Sequence, residues 1–134
     1  MGAWGVEAFE NDQALDWVWM LEKVEGNSLL IKALDTVNNL PAGEYMDGDY
    51  GREATPAAEI VAALKGSPLK VLPANVKTWL ANNPNANNPD LTPQCLSAID
   101  RILTEGELVE LWADSKHNKE WHDYMADLKS RLKT

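Results

Sequence analysis

The sequence predicts an all-α fold, a compact bundle of six to seven short helices. Three observations carry this. Apolar residues recur at helical spacing almost throughout the 134 residues. No stretch alternates apolar and polar with period two between hairpin turns. Val, Ile and Thr are not gathered into blocks, whereas Gly, Pro and Asn punctuate the helical patterns at intervals.

The first helix is expected from about Asp12 to Glu25. Asn11 is a good N-cap, and Asp12 places negative charge on the positive helix end. Ala14, Trp17, Leu21 and Val24 form one full-length stripe, and Leu15, Val18 and Trp19 form a second, shorter one. Gly26 supplies the residue beyond the C-terminus. A second helix, about Ser28 to Asn38, carries Leu30, Ala33, Leu34 and Val37. Residues 41 to 54 read as the longest irregular segment. Thr55 and Pro56 then read as N-cap and first residue of a third helix presenting Ala57, Ile60, Val61 and Leu64, closed by Gly66. Pro73 opens a short fourth helix with Val76, Trp79 and Leu80 inward. The run 81 to 90 is an Asn- and Pro-rich loop. Thr92 and Pro93 repeat the start signal for a fifth helix with Cys95, Leu96, Ile99, Ile102 and Leu103 on one face. Gly106 marks a break before a short helix with Leu108, Leu111 and Trp112. The last helix, from near Lys116 to Leu132, lines up Trp121, Tyr124, Met125, Leu128 and Leu132, with Asp127 and Arg131 paired on the outside. No internal repeat is convincing, and residues 1–134 are expected to form one domain.

Composition narrows the function. Twelve Lys and Arg stand against twenty-one Asp and Glu, a net charge of −9. Residues 7 to 59 hold twelve acids and three bases; residues 60 to 134 hold nine of each. This balance argues against nucleic-acid and anionic-membrane binding and toward a basic protein partner. No apolar run exceeds five residues (Trp17 to Leu21, Ile60 to Leu64), too short for a membrane span. The N-terminus has neither the basic nor the apolar region of a signal peptide, and Val6 stands where a myristoylation signal wants Ser or Thr. A cytoplasmic protein is expected. The single Cys95 cannot form an internal disulfide, and on the core face of its helix it is no obvious thiolate.

The densest cluster of chemistry lies in the first seventeen residues: Trp4, Phe9, Asn11, Asp12, Asp16 and Trp17. One reading is a pocket, with Trp4 and Phe9 as an aromatic wall and Asp12 and Asp16 as paired carboxylates one helical turn apart. The other is structural: Trp4 and Phe9 clamp the N-terminal arm onto the bundle, Asn11 caps, Asp12 faces the helix dipole, and Asp16 takes an indole N–H of Trp4 or Trp17 or the amides of the arm. The structural reading is favoured because each residue has an ordinary role in it.

Elsewhere the motifs are thin. Asp47, Asp49 and Glu53 alternate as calcium ligands do, but without the EF-hand glycine and terminal Glu, and with Arg52 among them. His117 and His122 are five apart rather than the four of a zinc helix. No serine stands in a nucleophile-elbow context, and no glycine run precedes Lys and Ser or Thr as in a phosphate loop. No cofactor or metal is called for. Trp17, Trp19, Trp79, Trp112 and Trp121 fall at or near apolar helix positions and read as core.

The opening Met1-Gly2-Ala3-Trp4-Gly5, then Phe9-Glu10-Asn11-Asp12 and Asp16-Trp17, resembles the bacterial family known as domain of unknown function 4259. The likeness continues in order through Pro56 to Leu64, Leu72 to Leu80, Ala98 to Leu103, Glu107 to Trp112 and Glu120 to Leu132. The segment Pro41 to Ala54 matches least, and residues 82 to 90 look like a local insertion. The resemblance implies a complete single-domain protein and no transferable activity. The leading expectation is therefore a non-enzymatic interaction protein with an acidic N-terminal half: a regulator, an adaptor or an immunity-type inhibitor. The alternatives are a small hydrolase-like or metal-assisted enzyme using Asp12 and Asp16, and a structural homo-oligomer.

Overall fold

The computed structural model describes residues 3–134, so the Met1-Gly2 start of the N-terminal motif lies outside the described residues. Seven helices follow in order: α1 (Asp12–Leu21), α2 (Ser28–Asn38), α3 (Gly48–Leu64), α4 (Ala74–Asn82), α5 (Thr92–Thr104), α6 (Glu107–Ala113) and α7 (Asn118–Leu132). Among the described residues there is no strand; a lone antiparallel bridge joins Ala3 to Asn11.

Asn11 caps α1 as expected, its Oδ1 accepting the Ala14 N–H at 2.8 Å. The helix ends at Leu21, a turn earlier than its apolar stripe suggests. The competing interactions come from α4. The Trp79 indole N–H donates to the Val24 carbonyl at 3.0 Å, and Asn83 Oδ1 accepts the Gly26 N–H at 2.8 Å. Helix α2 matches its expected span and buries Leu30, Ala33, Leu34 and Val37.

Helix α3 corrects the sequence reading. It starts at Gly48 with Asp47 as N-cap, so the first two turns occupy a stretch expected to be irregular, and Pro56 lies inside the helix. The proline removes one backbone donor. In the same turn the Thr55 hydroxyl donates to the Gly51 carbonyl at 2.7 Å. Every residue from Ala54 to Ala62 is buried, and α3 packs against each of the other six helices. Ala54, Ala57, Ala58 and Ala62 suit that position, because small side chains let six neighbours approach one axis.

Helix α5 owes its start to Asp90 rather than to Thr92: Asp90 Oδ1 accepts both the Thr92 N–H at 3.0 Å and its hydroxyl at 2.7 Å. Gly106, at φ +97°, makes the sharp turn into α6. A Cβ there would lie 2.6 Å from the Met46 Cβ, so the position needs glycine twice over. Helix α7 buries all five residues of its expected stripe. Arg131 does pair with Asp127 at 2.7 Å, but it is not an outside residue. Its guanidinium turns inward to α3.

Candidate functional site

The N-terminal segment folds back before α1. The Trp4 N–H donates to the Glu10 carbonyl at 3.0 Å, and the Glu7 N–H to Glu10 Oε1 at 3.1 Å. Gly5 lies against that carboxylate, where a Cβ would collide with it. The Ala8 N–H donates to the Tyr124 hydroxyl on α7 at 3.2 Å. Phe9 is buried in the core.

Held this way, the segment forms one wall of a half-open cleft of about 370 Å³. Val6, Glu7 and Ala8 lie on that wall, and Asp12 and Gln13 of α1 continue it. Asp49, Arg52 and Thr55 come from the first turns of α3. Leu108, Leu111 and Trp112 of α6, Ser115 of the α6–α7 connection and Trp121 of α7 also line it. The Trp112 and Trp121 rings stack at 6.1 Å between centroids, 15° from parallel. The surface of the cleft is therefore mainly apolar with a charged margin.

That margin is acidic. Burial, then the neighbouring Glu10 and Glu59, raise the Glu7 carboxyl above its ordinary range. Asp49 pairs with Arg52 at 3.1 Å. Gln13 donates to Glu53 at 2.6 Å. Among the described residues, the carboxylates of Glu7 and Asp12 have no hydrogen-bond partner. The Ser115 hydroxyl accepts the His117 N–H at 3.0 Å, and Thr55 is engaged with Gly51. Neither hydroxyl is paired with a His ring or a carboxylate among the described residues, so no nucleophile–base couple is seen among them in the cleft.

The predicted residues separate. Asp12 and Asn11 line the cleft. Asp16 is exposed and away from it, so the two carboxylates of the paired reading do not converge there. Trp4 is 59% exposed and does not line the cleft, so the arm is anchored in the core by Ala8 and Phe9 and not by Trp4. The aromatic wall comes instead from Trp112 and Trp121. Trp17 is buried, and its indole N–H has no partner among the described residues, so Asp16 does not serve it. Trp19 is a second correction: it is 60% exposed rather than core. Asp47, Asp49 and Glu53 sit on helical backbone or its cap rather than on a calcium loop. Among the described residues no three His, Cys, Asp or Glu are grouped to hold a metal ion. Cys95 is buried, which pushes its thiol up to about 12.

The sequence reading missed one buried polar network behind the cleft. Glu59 of α3 is 0% exposed. Its two oxygens take the Arg131 guanidinium as a fork, at 2.7 and 2.8 Å, and accept the Tyr124 hydroxyl. Arg131 also donates to the Ser67 carbonyl at 3.2 Å. One carboxylate thus ties the N-terminal segment (through Tyr124 and Ala8), α3, α7 and the start of the α3–α4 connection.

The family model of domain of unknown function 4259 matches residues 2–124. The chain belongs to that family. The match takes in the whole lining of the cleft, together with Glu59 and Tyr124, while Arg131 lies beyond it. No curated protein and no solved structure matches the chain.

Proposed function

We propose that the protein is an interaction domain of the bacterial cytoplasm, a regulator, adaptor or immunity-type inhibitor that holds a basic segment of a partner protein in the cleft. The observation that carries this reading is an apolar, tryptophan-walled cleft whose margin holds the carboxylates of Glu7 and Asp12, unpartnered among the described residues. Seating one large apolar side chain on such a surface is worth about 1.5–3 kcal/mol. A solvent-facing ion pair adds only about 0–1 kcal/mol. The cleft surface accordingly supplies affinity. The carboxylates select a cationic neighbour and speed its approach, helped by the charge of residues 7 to 59.

The test compares proteins co-purified from the native host by the wild type and by a variant with Glu7→Gln, Asp12→Asn and Asp49→Asn. The reading expects a partner rich in Lys and Arg that the variant loses. Recovery of the same partners by both proteins, or of none by either, would contradict it.

A further inference from the structure

The outward face of α1 is unlike the surface around it. Leu15, Trp19 and Met20 are exposed, spaced so that Leu15 and Trp19 stand one turn apart and Met20 one turn beyond Asp16. Asp12, Asp16, Glu22 and Lys23 share the exposed side. The face thus carries three carboxylates and one ammonium, and that ammonium already lies over the Trp19 ring, 3.1 Å from its centroid. A cation on an indole face is an attractive contact, so the position shows what chemistry this side chain accepts. The side chains of Asp12 and Asp16 have no partner among the described residues.

We infer that this face of α1 docks a basic amphipathic helix of a partner protein, in one interface continuous with the cleft through Asp12. The charge decides the occupant. A second copy would set three carboxylates and one lysine against the same set, whereas a helix with an apolar stripe flanked by Lys or Arg meets both the apolar and the acidic residues. Size decides the continuity. Ten residues of helix extend about 15 Å, too little for the roughly 800 Å² per partner of a stable interface. Asp12 both ends the α1 face and lines the cleft, so the two surfaces join there. The inference rests on the interaction reading of the cleft and adds a second contact surface to it.

The test uses an 18-residue Leu/Lys amphipathic helix, with a Leu/Glu version and a scrambled Leu/Lys version as controls. Binding is followed by NMR at the indole N–H signals of Trp19 and Trp112. The expected result is saturable binding of the Leu/Lys helix alone, with both signals shifting. Trp19→Ala and Asp16→Lys should each weaken it at least about 10-fold, as for a central interface residue. Both residues are exposed, and circular dichroism of each variant is the check that it is folded. If only Trp112 shifts and Trp19→Ala binds as wild type does, the α1 inference falls while the cleft reading stands. If only Trp19 shifts, the joint interface falls and with it the cleft reading. Equal binding of the controls, or none by any peptide, overturns both. Concentration-dependent dimerisation that shifts Trp19 without peptide overturns the assignment to a partner.

Discussion

Arg131→Met is the substitution whose cost follows most directly from the structure. Glu59 has no exposed surface, and Arg131 supplies two of its three hydrogen bonds. Removing the guanidinium leaves a buried carboxylate with the Tyr124 hydroxyl alone. Breaking one side of a buried ion pair costs about 3–5 kcal/mol. A domain of this length has a total stability of roughly 7–20 kcal/mol, so the variant loses a large share of it. With a urea dependence of about 2 kcal/mol per molar, the unfolding midpoint falls by about 1.5–2.5 M. Equilibrium urea unfolding followed by tryptophan fluorescence measures this. The companion variant Glu59→Leu with Arg131→Met removes the unpaired charge and should be more stable than the single variant, short of the wild type by the roughly 1–3 kcal/mol of a Tyr124 hydroxyl left without its acceptor. A loss below about 1 kcal/mol in the single variant would refute the reasoning. So would a double variant no more stable than the single.

Four other substitutions have outcomes set by position. Trp4→Ala should cost less than about 1 kcal/mol, because the ring is mostly exposed; Trp121→Ala, buried beside the cleft, should cost about 3–5 kcal/mol. The same urea assay ranks them, and a reversed order would mean that the arm is clamped through Trp4 after all. Gly51→Ala in an open helix would gain about 1 kcal/mol. Here its Cβ would meet Leu108 Cδ2 at 2.8 Å, so a net loss of about 1–3 kcal/mol is expected, and a rise in melting temperature would count against that contact. Burial raises the Cys95 thiol from 9.0 to about 12, so the folded state keeps a proton that the unfolded chain releases. Its contribution is complete below pH 9 and is lost as pH rises toward 12, by roughly 1.4 kcal/mol per unit. The buried Tyr124 hydroxyl, also raised, acts in the same sense at higher pH. Urea midpoints of Cys95→Ala between pH 8 and 11 should fall less steeply than those of the wild type; parallel curves would exclude the thiol as the cause.

The helical class and most helix spans are legible in the sequence because they depend on local periodicity. Helix α2, with its four buried residues, needs no information beyond its own eleven residues. The start of α3 was not legible for a reason of tertiary packing. Gly48 and Gly51 read as turn residues in isolation, but they permit close approach to Glu107 and Leu108 of α6. Thr55 and Pro56 imitate a cap in the interior of that helix. Trp19 misled for the complementary reason, since an apolar residue beside the buried stripe of α1 meets the Lys23 side chain and no core element, and stays 60% exposed. Of the site, Asn11 and Asp12 could be found from a capping pattern. The tryptophan wall could not, because α6 and α7 lie about a hundred residues away in the chain. Glu59 did leave a signal: it is the only charge between Ala54 and Ala62. Its partner Arg131, 72 residues on, carries none.

The bond between Ala8 and Tyr124 has a consequence in time. The two residues are 116 positions apart. At a synthesis rate of about 5–20 residues per second, the N-terminal segment emerges on the order of ten seconds before the hydroxyl that seats it. The wall built from Val6, Glu7 and Ala8 therefore closes last, after α7 has been made. A nascent chain whose translation has not passed Tyr124 therefore lacks the bond that seats this wall, and the cleft in its full form belongs only to chains extended beyond α7.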